Sequence, residues 1–318
     1  MFYVDNPLDA YQGKRIVITG GAGFIGSALG NLLAEVAKVV VIDNLAAGTW
    51  ERCCSAVEKK QLDIAICEES DIINVLDGVD YLFHLAAVKK HNTVNSFESI
   101  NLNNIVATER LFRLAVRARV QRTIFASSLY AYGSMGPSIM TEHDTVNPLS
   151  HYGLSKLAGE KLLQIAFQGD EISYVAPRLF FIYGPNQYAE GGYKSFIIKS
   201  FENILNGKPV EIYGSGHQSL DYVYIDDCIK SLLLLGQSGY QGVVNISTST
   251  PTTIQQIVES IKNITGNNLV VRSAPDWTEG SRRIGDNSLL KEIVGYAPVT
   301  SISKGLEETW NFMKEIRI

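Results

Sequence analysis

The 318-residue sequence has little of what marks membrane, secreted or nucleic-acid-binding proteins. Its longest apolar runs, such as VVVI and LLLL, are far too short to span a bilayer. The first residues, MFYVDNPLDAYQGKR, lack the basic segment and apolar core of a secretory signal. There is no basic run, and the formal net charge is -5. We therefore expect a cytoplasmic protein that binds neither membrane nor nucleic acid.

Cysteine and histidine are also scarce, and their spacing matches no metal site. The four cysteines are Cys53, Cys54, Cys67 and Cys228, with no CxxC or Cys/His spacing among them. The five histidines form no HxxxH or HExxH pattern, and we expect His84 to be a core residue with satisfied hydrogen bonds. The sequence therefore predicts reduced thiols and no bound metal ion.

What is present is a regular alternation of short apolar runs with amphipathic stretches. The apolar runs predict strands over 15–19, 38–42, 80–86, 122–128 and 172–180. Helical spacing of apolar residues predicts helices between them, including those over about 96–118 and 152–166. Strands buried on both faces and alternating with helices predict an α/β fold, a Rossmann-type doubly wound parallel sheet.

The first glycine-rich stretch, VITGGAGFIGS, follows the first predicted strand and opens a helix. Gly21, Gly23 and Gly26 satisfy GxGxxG, and Gly20, Gly23 and Gly26 satisfy GxxGxxG. Such glycines permit a tight turn and close approach to a pyrophosphate, and the helix N-terminus supplies free N–H groups. Asp43, at the end of the second strand, can accept hydrogen bonds from a ribose diol and would repel a 2′-phosphate. The pattern predicts NAD rather than NADP.

After Pro185 the alternation loosens, and further helices are predicted over 196–207, 252–266 and 304–316. No repeat or flexible linker separates the two halves. We expect an NAD-binding Rossmann domain over 1–176, with a contribution from about 218–246. The remainder, 177–318, is expected to form mainly a smaller C-terminal α/β lobe that binds the substrate across a cleft.

A second motif pairs Tyr152 with Lys156, one helical turn apart and on the same face of a predicted helix. A phenol has an unperturbed pKa of about 10, and we expect the nearby ammonium to lower the pKa of this one. Ser127 and Ser128 end a predicted strand, where α/β sheets place their ligands. A serine hydroxyl and this phenol can take a proton from an alcohol as its hydride leaves to NAD.

Seven segments then carry a family resemblance: GGAGFIG, DN after the second strand, FHLAA, ASSLYAYG, YGLSK, PRLFFIYGP and DYVYIDD, in this order. In them the sequence resembles the extended short-chain dehydrogenases/reductases, specifically the NAD-dependent sugar-nucleotide epimerase/dehydratase family. Within that family it is UDP-glucose 4-epimerase-like, and the resemblance covers about residues 15–310. It implies a nucleotide-diphosphate sugar as substrate.

The resemblance also implies residue roles. Ser128, Tyr152 and Lys156 would be catalytic, with Tyr152 as the base and Lys156 orienting the nicotinamide ribose. Together with the glycine loop, the implied cofactor contacts are Gly20, Gly23, Phe24, Ile25, Gly26, Asp43, Asn44, Asp63, Ile64, Leu85, Ala86, Ala87, Lys89, Asn104, Tyr152, Lys156 and Phe180. The candidate substrate contacts are Lys89, Ser128, Phe181, Tyr193, Lys194, Tyr213 and Arg283.

The expected reaction follows from catalytic residues that related enzymes carry and that this sequence lacks. Relatives of the 4,6-dehydratase type carry an Asp-Glu pair where this sequence has Leu129 and Tyr130, and 3,5-epimerases place a cysteine at the latter position. What remains is epimerisation, most often at C4, by oxidation to a keto sugar and re-reduction from the other face. A 4-keto sugar-nucleotide reductase, a 4,6-dehydratase and a non-enzymatic NAD-sensing protein stay open.

Two departures from the family concern the diphosphate of the substrate. Many relatives carry an asparagine where Phe181 stands and an arginine where Leu220 stands. Arg282 or Arg283 is a candidate for the missing contact, because an arginine fork suits a diphosphate. The nucleotide stays open, with UDP favoured over GDP, CDP and dTDP. The resemblance finally implies a homodimer formed through the helices near 96–118 and 151–168.

Overall fold

The computed structural model describes residues 6–89, 96–133, 139–169, 172–187, 194–266, 272–274 and 282–316. Its strands are β1 (Arg15–Thr19), β2 (Lys38–Asp43), β3 (Glu58–Gln61), β4 (Tyr81–His84), β5 (Arg122–Phe125), β6 (Ser127–Ser128), β7 (Ser173–Leu179), β8 (Phe181–Tyr183), β9 (Glu211–Tyr213), β10 (Ser219–Leu220), β11 (Tyr222–Tyr224), β12 (Val243–Ile246), β13 (Thr252–Thr253), β14 (Arg272–Ala274) and β15 (Arg282–Arg283). Its α-helices are α1 (Phe24–Leu33), α2 (Glu69–Leu76), α3 (Ser96–Ile100), α4 (Ala107–Arg117), α5 (His151–Ala166), α6 (Phe196–Leu205), α7 (Ile225–Gln237), α8 (Ile254–Thr265), α9 (Ser288–Val294) and α10 (Ile302–Glu315).

One large parallel sheet organises the fold. Its strand order is β3-β2-β1-β4-β5-β7-β12, and β6 continues the line of β5 beside β7. Every pairing in it is parallel, so the carboxyl ends of all strands lie along one edge. The order reverses direction between β1 and β4, the point at which doubly wound sheets open a binding crevice. The predicted α/β, doubly wound sheet is confirmed, and β12 joins it from the second half of the chain.

The apolar strands are continuous runs because the sheet is buried on both faces. Successive side chains of a strand point to opposite faces. Ile16 and Ile18 of β1 therefore belong to one hydrophobic core, whereas Val17 between them belongs to the other. The first core extends without interruption into the C-terminal part, where Phe201 and Trp310 pack with ring centroids 5.2 Å apart.

The predicted helix over 96–118 lies where expected, but it is not one continuous α-helix. The structure divides it into α3, a π-helical turn over Asn101–Val106, and α4. A π turn adds one residue to a helical turn and is often found at functional sites. Here it turns Asn104 into the interior, where that residue is 2% exposed. The spacing of apolar residues in the sequence does not reveal the extra residue of a π turn.

Short strands build the second half next to the carboxyl edge of the main sheet. β8 pairs with β11, β9 pairs with β14, and β10 lies between β13 and β15. In the last of these, Leu220 is the parallel partner of Arg283. Within the described part of the chain, no helix is long and apolar enough to cross a membrane.

Candidate active site

The glycine loop between β1 and α1 leaves no room for side chains. Gly20 has a φ of +69°, and a Cβ there would lie 2.6 Å from the backbone nitrogen of Ala86. A Cβ at Gly26 would overlap the carbonyl oxygen of Gly20. The first turn of α1, which includes Phe24 and Ile25, leaves its N–H groups without intrahelical partners. The loop thus forms a backbone cradle suited to a pyrophosphate.

Asp43 stands beside this cradle, at the carboxyl end of β2. Its Oδ2 accepts a 3.0 Å hydrogen bond from the N–H of Ala22, and its Oδ1 accepts one of 2.8 Å from Leu45. Each carboxylate oxygen has two lone pairs, so both can accept a further donor. The residue is well placed to receive the hydroxyls of an adenosine ribose.

The next turn along the sheet edge is built around Asp63. Asn44 donates a 3.0 Å hydrogen bond to Oδ2 of Asp63, and Oδ1 accepts the N–H of Ala65. Arg110 of α4 donates to the carbonyl of Ile64 across 3.3 Å. These bonds hold Asp63 and Ile64, two of the predicted cofactor contacts, beside the end of β2.

The segment after β4 is held by Asn104. Its side-chain oxygen accepts the N–H of Val88 at 2.7 Å, and its side-chain nitrogen donates to the carbonyl of Val88 at 2.9 Å. The same nitrogen lies 3.0 Å from Oγ of Ser155 on α5. Asn104 therefore fixes the backbone of the segment Leu85, Ala86, Ala87, Val88 and Lys89 against helix α5. The sequence assigned Asn104 to the cofactor; the structure gives it this supporting contact.

The three predicted catalytic residues come together where β6 meets α5. Ser150 caps this helix by accepting the N–H of Gly153 at 3.1 Å, which sets the first turn that carries Tyr152. The side chain of Ser128 is close enough to the phenol of Tyr152 to act on its pKa as a hydrogen-bond donor. Lys156 is buried and donates a 2.8 Å hydrogen bond to the carbonyl of Ala126.

The pKa values in this cluster differ from the expectation. Burial raises the pKa of Tyr152 well above its usual range, an effect that the hydrogen bond from Ser128 only partly opposes. Burial and the positive charge of Lys89 lower the pKa of Lys156 to about 7, and the charge of Glu160 acts in the other direction. The expectation that the ammonium lowers the pKa of Tyr152 is therefore wrong, because desolvation dominates and Lys156 donates its hydrogen bond to the carbonyl of Ala126.

A buried ion pair lies directly behind the cluster, and the sequence reading missed it. Arg178 of β7 makes a two-pronged contact with Glu160 of α5, at 2.8 and 2.7 Å. Oε1 of Glu160 also accepts a hydrogen bond from the hydroxyl of Ser127. Glu160 stands one helical turn after Lys156, and this spacing was the available signal. Such a pair fixes the strand that carries Ser128 relative to the helix that carries Tyr152.

An aromatic wall runs from Tyr152 into the second half of the chain. We use this name for Tyr130, Phe181 and Tyr222. The ring centroids of Tyr130 and Tyr152 are 5.9 Å apart, those of Tyr130 and Phe181 are 6.5 Å apart, and those of Phe181 and Tyr222 are 6.0 Å apart. The guanidinium of Arg283 lies over this wall, 5.3 Å from the Tyr130 ring centroid and 6.0 Å from that of Phe181. The structure therefore brings Phe181 and Arg283 to the catalytic cluster.

Other predicted substrate contacts have polar or aromatic partners of their own. Tyr213 ends β9 and is half exposed, with Nζ of Lys199 5.8 Å from its ring centroid. Lys194 forms hydrogen bonds of 2.7 and 2.9 Å with the carboxylate of Glu202. Tyr193 lies outside the described residues.

Two further residues from the predictions are buried. Phe180 is buried at the carboxyl end of β7, and a Cβ at Gly285 would come within 2.5 Å of its ring. His84 is fully buried between the hydroxyls of Thr19 and Thr108, at 2.6 and 2.9 Å, so it is a satisfied core histidine. Among the residues that the structure describes, no group of His, Cys, Asp or Glu side chains is arranged to hold a metal ion.

This geometry agrees with a comparison against protein families. The model of the NAD dependent epimerase/dehydratase family matches residues 16–247, a span that contains the glycine loop, Ser128, Tyr152 and Lys156. The chain belongs to this family. The resemblance predicted from the sequence motifs is thereby confirmed.

Individual relatives of this epimerase/dehydratase family member are similar over almost its whole length. The uncharacterized UDP-glucose epimerase YtcB of Bacillus subtilis (strain 168) is 32% identical over 310 residues, which cover 92% of this chain and 95% of that protein. The UDP-glucose 4-epimerase of Mycolicibacterium smegmatis is 30% identical, and the match covers 94% of this chain and 98% of that protein. The UDP-glucuronic acid decarboxylase 2 of Arabidopsis thaliana is 27% identical, with 93% and 67% covered.

Solved structures of relatives superpose closely. The UDP-N-acetylglucosamine 4-epimerase from Methanobrevibacter ruminantium M1, in complex with UDP-N-acetylmuramic acid, gives a TM-score of 0.89 at 30% identity and covers 96% of this chain and 99% of its own. The UDP-glucuronic acid 4-epimerase from Bacillus cereus, in complex with NAD, gives a TM-score of 0.84 at 26% identity. The match covers 96% of this chain and 100% of that chain. The cofactor is NAD, as the glycine loop and Asp43 predict.

Proposed function

We propose that the chain is an NAD-dependent epimerase that inverts C4 of the sugar in a nucleotide-diphosphate sugar. The observation that carries the proposal is the meeting of Ser128, Tyr152 and Lys156 at the sheet edge that bears the dinucleotide loop. When bound, NAD supplies a reversible hydride acceptor. The 4-epimerases among the relatives favour C4 over other positions.

The proposed work of the side chains is to move one proton in both directions. Ser128 and Tyr152 would hold the same sugar hydroxyl, and Tyr152, as the phenolate, would take its proton during oxidation. During re-reduction, with the opposite face of C4 turned toward the cofactor, the phenol would return that proton to the sugar oxygen. Burial raises the pKa of Tyr152, so the phenolate that this step needs would form when positive charge is brought close to the phenol. Lys156 would orient the nicotinamide ribose.

The same site supports a reaction without dehydration. Leu129, at a position where dehydratase relatives carry a carboxyl group, is 3% exposed and packs into the hydrophobic core. Tyr130 presents an aromatic ring to Tyr152 instead of a second carboxyl group. Neither side chain supplies the acid or the base that loss of water requires.

Arg283 is the proposed contact for the diphosphate. It is the register partner of Leu220, so it stands one strand away from the position at which many relatives carry an arginine. Its guanidinium also lies over Phe181, the position at which they carry an asparagine. One arginine on the neighbouring strand thus offers its planar fork next to both replaced positions. Relatives that bind UDP-sugars make UDP the nucleotide we propose.

A homodimer formed through the helices of 96–118 and 151–168 is part of the proposal. Apolar side chains that are between 41% and 54% exposed line these helices, namely Phe97, Leu102, Val106 and Leu154. Burial of such a surface between two copies is favourable by about 25 cal/mol per Å² of apolar area.

Isotope tracing tests the reaction directly. UDP-glucose with deuterium at C4 is incubated with the purified protein and no added NADH. We expect the C4 epimer with its deuterium retained, because the hydride that leaves C4 is the one that returns. An epimer that has lost its deuterium to solvent would contradict the oxidation and re-reduction mechanism.

A further inference from the structure

Asp221, between β10 and β11, is a completely buried carboxylate. Its Oδ1 accepts the N–H and the hydroxyl of Thr248, both at 2.7 Å, and its Oδ2 accepts the N–H groups of Ser249 at 3.0 Å and Gly285 at 3.2 Å. In the described part of the chain, all its hydrogen-bond donors are neutral groups. Burial raises the pKa of this carboxyl to about 6, and these donors act in the opposite direction. A carboxylate kept inside the protein on neutral donors alone calls for an explanation.

The backbone of Asp221 joins the strands that carry the aromatic wall and its arginine. Its carbonyl accepts the N–H of Phe181 at 3.0 Å, and its own N–H donates to the carbonyl of Arg283 at 3.0 Å. The carboxylate then holds Gly285, two residues beyond Arg283 on the same segment. Asp221 therefore bonds to both sides of the proposed diphosphate site, and also to the end of β12 in the main sheet through Thr248.

The donors that converge on Asp221 require an acceptor on both oxygens. An asparagine in its place would keep one oxygen and direct an NH₂ group at some of these donors. A buried donor left without an acceptor has lost its hydrogen bond to water with no replacement, which destabilises the arrangement. The segment from Arg283 to Gly285 cannot retreat toward the sheet to recover the contact, because Gly285 already lies against Phe180.

We infer that Asp221 is a positioning residue that holds Arg283 and Phe181 in place for the nucleoside diphosphate of the substrate. The inference rests on the proposed function. Asp221 acts through these two residues and makes no contact with reacting atoms. Its loss should weaken binding of the nucleotide half of the substrate while leaving NAD binding and the chemistry of Tyr152 largely intact.

The chain offers a matched control in Asp227. This residue is also buried and also accepts backbone N–H groups, from Val299 at 3.1 Å and Thr300 at 2.8 Å, together with the hydroxyl of Tyr296. These contacts fix the segment before α10 and do not include the aromatic wall. The substitution Asp227→Asn therefore carries a similar structural cost without the positioning effect.

The test compares Asp221→Asn with Asp227→Asn, using titration calorimetry with UDP and, separately, with NAD. We expect Asp221→Asn to weaken UDP binding about tenfold, the equivalent of 1.4 kcal/mol. Its NAD affinity should be unchanged, and in turnover assays KM should rise much more than kcat falls. Asp227→Asn should change neither affinity. The milder Thr248→Val, which removes one donor, should weaken UDP binding in the same direction and covers the case in which Asp221→Asn does not fold.

Two results would overturn the inference. One is unchanged UDP affinity in both Asp221→Asn and Thr248→Val; the other is an equal loss in Asp221→Asn and Asp227→Asn. Absence of epimerisation by the unaltered protein would refute the proposed function only, because UDP affinity would still report on Asp221.

Discussion

The Nζ atom of Lys156 lies 5.8 Å from the ring centroid of Tyr152 and donates a hydrogen bond to the carbonyl of Ala126. The two residues share a helix face, yet the ammonium does not bond to the phenol oxygen. The pKa of Tyr152 is accordingly raised by burial, and its hydrogen-bond partner is Ser128. Proton transfer thus belongs to the Ser128–Tyr152 pair in our account, and Lys156 serves the cofactor.

Removing the hydroxyl group of Tyr152 or of Tyr130 should have different effects on activity. Tyr152→Phe should reduce kcat by at least about 100-fold, the usual scale of general acid–base catalysis, with NAD still bound. Tyr130→Phe keeps the ring that touches Tyr152 and should retain most of the activity. Steady-state kinetics on both variants check this. Full activity in Tyr152→Phe would exclude the phenol as the acid/base.

Lys89 should set the pH range of activity through Lys156. The positive charge of Lys89 is one cause of the lowered pKa of Lys156, which is about 7. Removing that charge in Lys89→Met raises the pKa of Lys156, so the ammonium persists to higher pH. The basic limb of kcat/KM against pH should move upward, whatever the change in rate. A limb that stayed in place or moved to lower pH would contradict this coupling.

Arg283 and Lys194 are rival cations for the diphosphate, and the structure separates them. Arg283→Leu should weaken UDP binding by about tenfold or more, because a hydrogen bond to a charged group is worth about 1.5 to 3 kcal/mol. Lys194→Met breaks the ion pair with Glu202 but should leave UDP binding nearly unchanged. Calorimetry on the two variants decides between them. The reverse order of losses would assign the diphosphate to Lys194.

The proposed dimer predicts a specific sensitivity to charge. Leu102→Glu combined with Val106→Glu places two carboxylates on the π turn and should give a monomer in analytical ultracentrifugation. Val299→Glu is a control, because this side chain is 78% exposed and lies outside the proposed interface. A wild-type protein that is monomeric at micromolar concentration would remove this part of the proposal.

His84 should make the fold sensitive to acid. Burial lowers the pKa of His84 to about 3, whereas an unfolded histidine titrates near 6.5. Below pH 6.5 the unfolded state binds a proton that the native state does not, so stability falls as the pH falls toward 3. This amounts to about 2 kcal/mol between pH 7 and pH 5. His84→Gln should lose correspondingly less stability over this range in urea unfolding; an equal loss would assign the acid sensitivity to other groups.

The sequence predicted those parts of the molecule that depend on local patterns. RIVIT gives β1 over Arg15–Thr19 as predicted, because a short β-branched run buried on both faces leaves little choice. The glycine loop and Asp43 were readable because their neighbours in sequence are also their neighbours in space. Tyr152 and Lys156 were readable for the same reason, since one helix carries both.

What local patterns could not supply is the set of contacts made across the fold. Asp221 draws its donors from Thr248, Ser249 and Gly285, which are 27 to 64 residues away. The pairing of Leu220 with Arg283 depends on strand register in a small sheet. The lowered pKa of Lys156 depends on burial, which the sequence spacing of Tyr152 and Lys156 does not specify.

The measurement that tests the central claim most directly is mass-resolved chromatography of a panel of UDP-, GDP-, CDP- and dTDP-sugars after incubation with the purified protein and no added reductant. We predict one UDP-sugar that gives a product of unchanged mass and shifted retention, which is the result of epimerisation. A product lighter by water or by carbon dioxide would make the protein a dehydratase or a decarboxylase. A change that requires added NADH or NADPH with a keto sugar would make it a reductase, and each of these results would contradict our account.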